Sequence, residues 1–143
     1  MLYDHFTMAP WQEARWPNFS PSEMACRHCG EYYHFEWMLD AIQTVRRNLN
    51  RPVSINSGHR CPLHNASAAV GGSALSEHKV RLALDIAIGS HNPLRLYQAL
   101  CEAGFDTFGA YGSFIHVDAR RGRRWATNLG KKVWKGIIDG LPG

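Results

Sequence analysis

The chain is short of cysteine, and the four it has, Cys26, Cys29, Cys61 and Cys101, lack the even, closely repeated spacing of a disulfide-stapled secreted domain. It has no run of about 18 apolar residues, so no helical membrane span is expected. Its first residues, "MLYDHFTMAPWQEARWPNF", lack the basic stretch and apolar core of a signal peptide. The expectation is a chain made in the cytoplasm, with any outside target reached through another factor. No low-complexity tract or internal repeat is visible. Acidic residues nearly vanish at one end: after Ala119, Arg120, Arg121, Arg123, Arg124, Lys131, Lys132 and Lys135 face Asp139 alone. That end carries +6, which leaves −2 on the first 119 residues of a chain whose net charge is +4. Such a basic end favours a polyanion, whether nucleic acid, an anionic membrane face or an anionic wall, or is simply solvated. What is present is ordinary for one globular domain: 143 residues, 45% apolar and 20% charged, enough for a core without staples.

Local patterns predict the elements. Ser20, Pro21 and Glu23 spell a helix N-cap, first position and capping box, for a helix cut short by "CRHCGEYYH". Met38, Leu39, Ile42, Val45 and Leu49 recur at helical spacing through "EWMLDAIQTVRRNLN". "RPVSIN" reads as a short strand. The Gly- and Ser-rich connection "HRCPLHNASAAVGGSALSEH" is predicted to hold a short helix near residues 65–70, and a connection of that length is more often functional than idle. "RLALDIAI" is a strand, and "NPLRLYQALCEAG" a helix capped by Gly104. "TFGAYG" and "SFIHVDAR" form a hairpin. A short amphipathic helix is expected around Val133, Ile137 and Ile138. Segregated helices and a hairpin imply an α+β fold, a small mainly antiparallel sheet with helices packed on it.

One residue breaks the pattern. Asp85 stands inside "LALDIAI", where a buried carboxylate is costly unless something positive meets it. Arg60 and Arg81 are candidate partners. A metal is another: His78 precedes that strand and His116 sits within "FIHVD", and two histidines with an aspartate can supply three zinc ligands and leave a fourth position for water, as catalytic zinc sites do. "CRHC" offers half of a second, structural site, which Cys61 and His34 could complete; buried thiols are the plainer reading. "RRGRRW" lacks the aromatic platform of a nucleic-acid module, so no nucleic-acid partner is expected.

The motifs "SEHKVRLALD" (Ser76, His78, Ala83, Asp85), "FIHVD" (His116) and "SGHRCPLHN" followed by "AVGG" resemble, in that order, the zinc D-alanyl-D-alanine carboxypeptidase family, which shares its fold with the hedgehog signalling domain. They are most similar to its murein peptidases, phage lysins among them, and the resemblance runs from about Phe19 to Trp125. It implies Zn2+ held by His78, Asp85 and His116, with Arg60 meeting a substrate carboxylate or carbonyl through its planar fork and Ser76 orienting the loop or the substrate. His64, His59 and Tyr111 are candidates for substrate binding or oxyanion support. Two positions depart from the family pattern: Arg81 replaces a glycine, and Ser113 stands where many members carry a carboxylate base. Asp118 is the best candidate for a replacement base. Side chains two apart on a strand share a face, so Asp118 lies beside His116, either to move a proton or to fix a ligand histidine.

The resemblance thus implies a zinc metallopeptidase of peptidoglycan stem peptides or cross-links, acting as a monomer on the cell wall after release or from a virion. An inactive zinc-containing binding module, or a virion component on the same fold, is the alternative. Residues 1–125 are expected to form the peptidase domain and 126–143 a basic C-terminal tail.

Overall fold

The structure, a computed structural model, describes residues 1–61 and 82–142. The elements run β1 (Leu2–Tyr3), a 3-10 turn (Phe6–Met8), α1 (Pro21–Met24), β2 (Tyr32–Tyr33), α2 (Glu36–Leu49), β3 (Ile55–Ser57), β4 (Leu84–Ala87), α3 (Pro93–Glu102), β5 (Thr107–Ala110), β6 (Phe114–Asp118), β7 (Arg124–Ala126) and α4 (Asn128–Val133). The main sheet has the order β3-β4-β6-β5-β7, and β1 pairs with β2 apart from it. Every pairing in the main sheet is antiparallel except β5 with β7, which is parallel. The expected α+β architecture is the observed one.

The helices form where their ends are satisfied. Ser20 accepts from the Glu23 N–H and Pro21 opens α1; Asn92 accepts from the Arg95 N–H ahead of Pro93 in α3. The C-cap of α2 is Asn50 at φ 51°, a left-handed conformation that asparagine tolerates better than most residues. Met38, Leu39, Ile42 and Val45 on α2, with Leu96 and Leu100 on α3, are fully buried.

Strand alternation sorts the sheet into two faces. Leu84 and Ile86 of β4, Ile115 and Val117 of β6, and Phe108 and Ala110 of β5 belong to the helix-packed core. The residues between them, Asp85, His116 and Gly109, point the other way and share that second face by register: Asp85 stands opposite His116, and His116 opposite Gly109.

Residues 126–142, expected as a tail, are part of this packing. Trp134 is fully buried and donates its indole N–H to the Tyr111 carbonyl at 3.0 Å. Ile138 belongs to the same core. Gly130 lies so close to Ala110 that a Cβ there would overlap the Ala110 carbonyl oxygen. Part of the basic stretch is paired within the chain. Arg120 binds Asp118, Arg121 and Arg124 pair with Asp106, and Arg124 lies 4.9 Å over the Phe108 ring. No helix among the described residues is long and apolar enough to cross a membrane. The helix expected near residues 65–70 lies outside the described residues.

Candidate active site

The open face of the sheet carries a chain of charged groups built around His116. The β4–β6 register sets Asp85 across from His116, and the Asp85 Oδ1 stands 3.1 Å from His116 Nδ1. On the other side of the ring, Asp118 Oδ2 lies 2.7 Å from His116 Nε2. Each carboxylate is gripped again from behind. Arg60 donates from Nη2 to Asp85 Oδ2 at 3.1 Å and from Nε to Ser57 Oγ at 3.2 Å. Arg120 donates to both Asp118 oxygens, from Nη2 at 2.8 Å and Nε at 3.1 Å, while its backbone N–H adds a third bond at 2.9 Å. The acid inside "LALDIAI" is therefore met, among the described residues, by Arg60 and by His116.

Burial gives these contacts their force. Asp85 and His116 are each 6% exposed and Asp118 1%. Burial alone would lower the His116 pKa, but the hydrogen bonds it donates to Asp118 and Asp85 outweigh it and hold the ring above its ordinary value. Burial alone would raise Asp118; the bonds from His116 and Arg120 reverse that and keep it well below the usual carboxylate range. Asp118 thus holds the His116 ring from one side and is itself held by Arg120.

The donor set fits zinc. Two ligands on neighbouring corners of a tetrahedron with bonds of about 2.0–2.1 Å stand about 3.3 Å apart, close to the 3.1 Å between Asp85 Oδ1 and His116 Nδ1. With Nε2–H committed to Asp118, Nδ1 would be the nitrogen left to face a metal, the carboxylate–histidine arrangement common around zinc. Asp85 is left with Oδ1 for the ion, because Arg60 occupies Oδ2. The third expected ligand, His78, lies outside the described residues, as do Ser76, His64 and Arg81.

Trp125 completes the described part of the site and was not foreseen. β7 pairs with β5 so that Trp125 stands opposite Gly109. A Cβ on Gly109 would come within 2.5 Å of the Trp125 ring, so only glycine lets the indole lie across this strand. The ring then sits 4.9 Å from the His116 ring, with the Arg120 guanidinium 5.8 Å from its centroid. Its indole N–H donates to the Tyr111 hydroxyl at 3.0 Å. Tyr111 stacks on Phe114 and lines an open groove with Gly112, Ser113, Thr127 and Leu129. His59 goes elsewhere: it is 1% exposed and its Nε2 lies 2.7 Å from Glu31 Oε1.

The cysteines also gather differently from expectation. The Sγ atoms of Cys26, Cys29 and Cys61 all lie within 4.8 Å of one another. Cys29 is exposed rather than a buried thiol. His34 is not with them; its ring is held by the Tyr32 hydroxyl at 2.8 Å and faces Glu36 at 3.3 Å.

No curated protein matches the chain. The Peptidase M15 family matches it over residues 17–118, which span α1 to the end of β6 and take in Arg60, Asp85, His116 and Asp118. With well over half of its length so matched, the chain belongs to the peptidase M15 family.

Proposed function

We propose that this chain is a zinc-dependent peptidase that hydrolyses peptide bonds in peptidoglycan, in the stem peptides or their cross-links. The observation that carries the reading is His116 clasped between Asp85 and Asp118, with Arg60 and Arg120 fixing the two carboxylates from behind. Asp85 Oδ1, His116 Nδ1 and His78 are the proposed zinc ligands. When bound, zinc supplies a Lewis acid that activates water and polarises the scissile carbonyl.

The protein's own groups do the rest. Asp118 accepts the Nε2 proton of His116, which fixes the ring orientation and leaves Nδ1 basic. Arg60 holds Asp85 to single-oxygen ligation and sets a positive charge beside the site, where a substrate carboxylate or carbonyl is expected to approach. Trp125 and the Tyr111 hydroxyl wall one side, excluding water from the histidine and offering a flat surface to the peptide. Ser76 and His64 retain their expected part in binding substrate. Asp118 is in this reading a positioning residue, so its loss acts through metal retention.

The test is incubation of purified, zinc-loaded protein with intact peptidoglycan, reading released fragments by mass spectrometry. Cleavage of stem peptides or cross-links, abolished in His116→Ala, is the expected result, and the fragments name the bond. A wild-type chain that holds zinc but releases nothing would overturn the proposal.

A further inference from the structure

The Cys26, Cys29 and Cys61 cluster is not used by the peptidase site, and its geometry is specific. Sulfurs around a tetrahedral zinc with bonds of about 2.3 Å stand about 3.8 Å apart. The three Sγ atoms all lie within 4.8 Å of one another, near that spacing. None of them is in a disulfide.

The backbone around them is arranged for a thiolate. Cys26-Arg27-His28-Cys29-Gly30 folds back on itself, with the Gly30 N–H on the Cys26 carbonyl at 2.9 Å and Gly30 at φ +83°, a conformation that favours glycine. The turn aims the His28 N–H at Cys26 Sγ, 3.4 Å away. Such a donor favours the charged sulfur, which is the form that binds metal. A fourth donor lies beside Cys61: His28 Nδ1 is 3.6 Å from Cys61 Sγ, near the roughly 3.5 Å expected between nitrogen and sulfur on one zinc.

We propose that Cys26, Cys29 and Cys61, with His28 as the fourth ligand, form a second zinc site, closed and structural, separate from the peptidase centre. Four protein ligands leave no position for water, which distinguishes it from a catalytic site. Its place in the fold explains its use. The turn at 26–30 and the chain leaving β3 are already laid together, by the His59 N–H on the Met24 carbonyl at 2.8 Å, by His59 on Glu31 at 2.7 Å, and by Gly58 packed on the Met24 backbone. An ion on Cys61 fastens the residue next to Arg60, and Arg60 is what holds Asp85. The second zinc thereby sets the arginine of the first site.

The experiment uses the full chain carrying His116→Ala, which removes a ligand of the peptidase site, so its result does not depend on whether the chain cuts peptidoglycan. The protein is purified under reducing conditions, its zinc counted, and the ion exchanged for cobalt. One ion per chain with sulfur-to-cobalt charge-transfer absorption is expected, lost in Cys29→Ser and kept in Cys101→Ser. In the otherwise wild-type chain two ions are expected, one of them released by a mercurial thiol reagent, which covers the case of a poorly folded His116 variant. A folded chain with no sulfur-bound ion in either form would overturn the site, as would a mass lower by two hydrogens from a disulfide within the cluster. Unchanged resistance to a chelator in His28→Ala would remove His28 from the ligand set.

Discussion

A carboxylate between Leu84 and Ile86 persists because two cationic groups meet it, and the site's behaviour follows from which of them is taken away. Arg60→Ala removes one of these partners and should cost about 3 kcal/mol in the metal-free protein, as breaking buried ion pairs does; urea denaturation with zinc chelated reads it directly. Asp118→Asn keeps the shape but withdraws the charge that His116 Nε2 faces at 2.7 Å. Zinc affinity at the peptidase site should fall about 10–100-fold, measured by competition with a chelator, and excess zinc should restore much of the activity. If excess zinc restores none, Asp118 takes part in the reaction itself. At this scale the sequence was informative where chemistry was out of place. Asp85 drew notice because its neighbours are apolar, and Asp118 because strand alternation puts it beside His116. Arg120 and Trp125 gave no such signal: one lies in a basic run that reads as solvated, the other reaches the histidine only through pairing with a distant strand.

Among the elements, β7 shows how little room the fold leaves. Gly109→Ala drives a Cβ to within 2.5 Å of the Trp125 ring, and overpacking of this kind costs about 1–3 kcal/mol. The variant should shift its urea midpoint down, with the indole displaced from His116. The arm before α1 is tied to α2 by polar bonds. Asp40 accepts from Arg15 Nε and Nη2 at 2.8 and 2.7 Å and from the Trp16 indole at 2.9 Å. The bonds from Arg15 lower the Asp40 pKa beneath its ordinary 3.8. A depressed carboxylate contributes stability that is complete above its unfolded value and fades as pH falls through the folded one. Asp40→Asn should therefore be less stable than wild type at pH 7, with the gap closing below about pH 3–4; because the pair is half exposed, the gap should be modest. Helices α2 and α3 were legible because caps and apolar spacing are local. β1, β2 and β7 are two or three residues long and exist only through partners far along the chain, so no window of sequence could display them.

For the molecule as a whole, the C-terminal residues are structure and not appendage. Trp134, Ile138 and Gly130 close the core against β5 and the Tyr111 turn. Losing one buried tryptophan side chain typically costs about 3–5 kcal/mol, a large part of a domain's usual 5–15 kcal/mol. A chain ending at Ala126 should accordingly be largely unfolded at room temperature by circular dichroism. The charge asymmetry that suggested a polyanion-binding tail has a partly internal explanation, since Arg120 pairs with Asp118 and Arg121 and Arg124 share Asp106 of the same chain. Composition reports how many charges there are and says nothing of where they are spent.

The indole laid across Gly109 has one more consequence. Its ring is 4.9 Å from the imidazole of His116, within reach of electron transfer from the excited indole to a protonated ring. The protein thus carries its own optical probe at the candidate site. Fluorescence that brightens as the histidine gives up its proton, and dims when cobalt enters, would follow occupancy of the site in real time without a label, and a Trp125→Phe control would subtract the other four tryptophans.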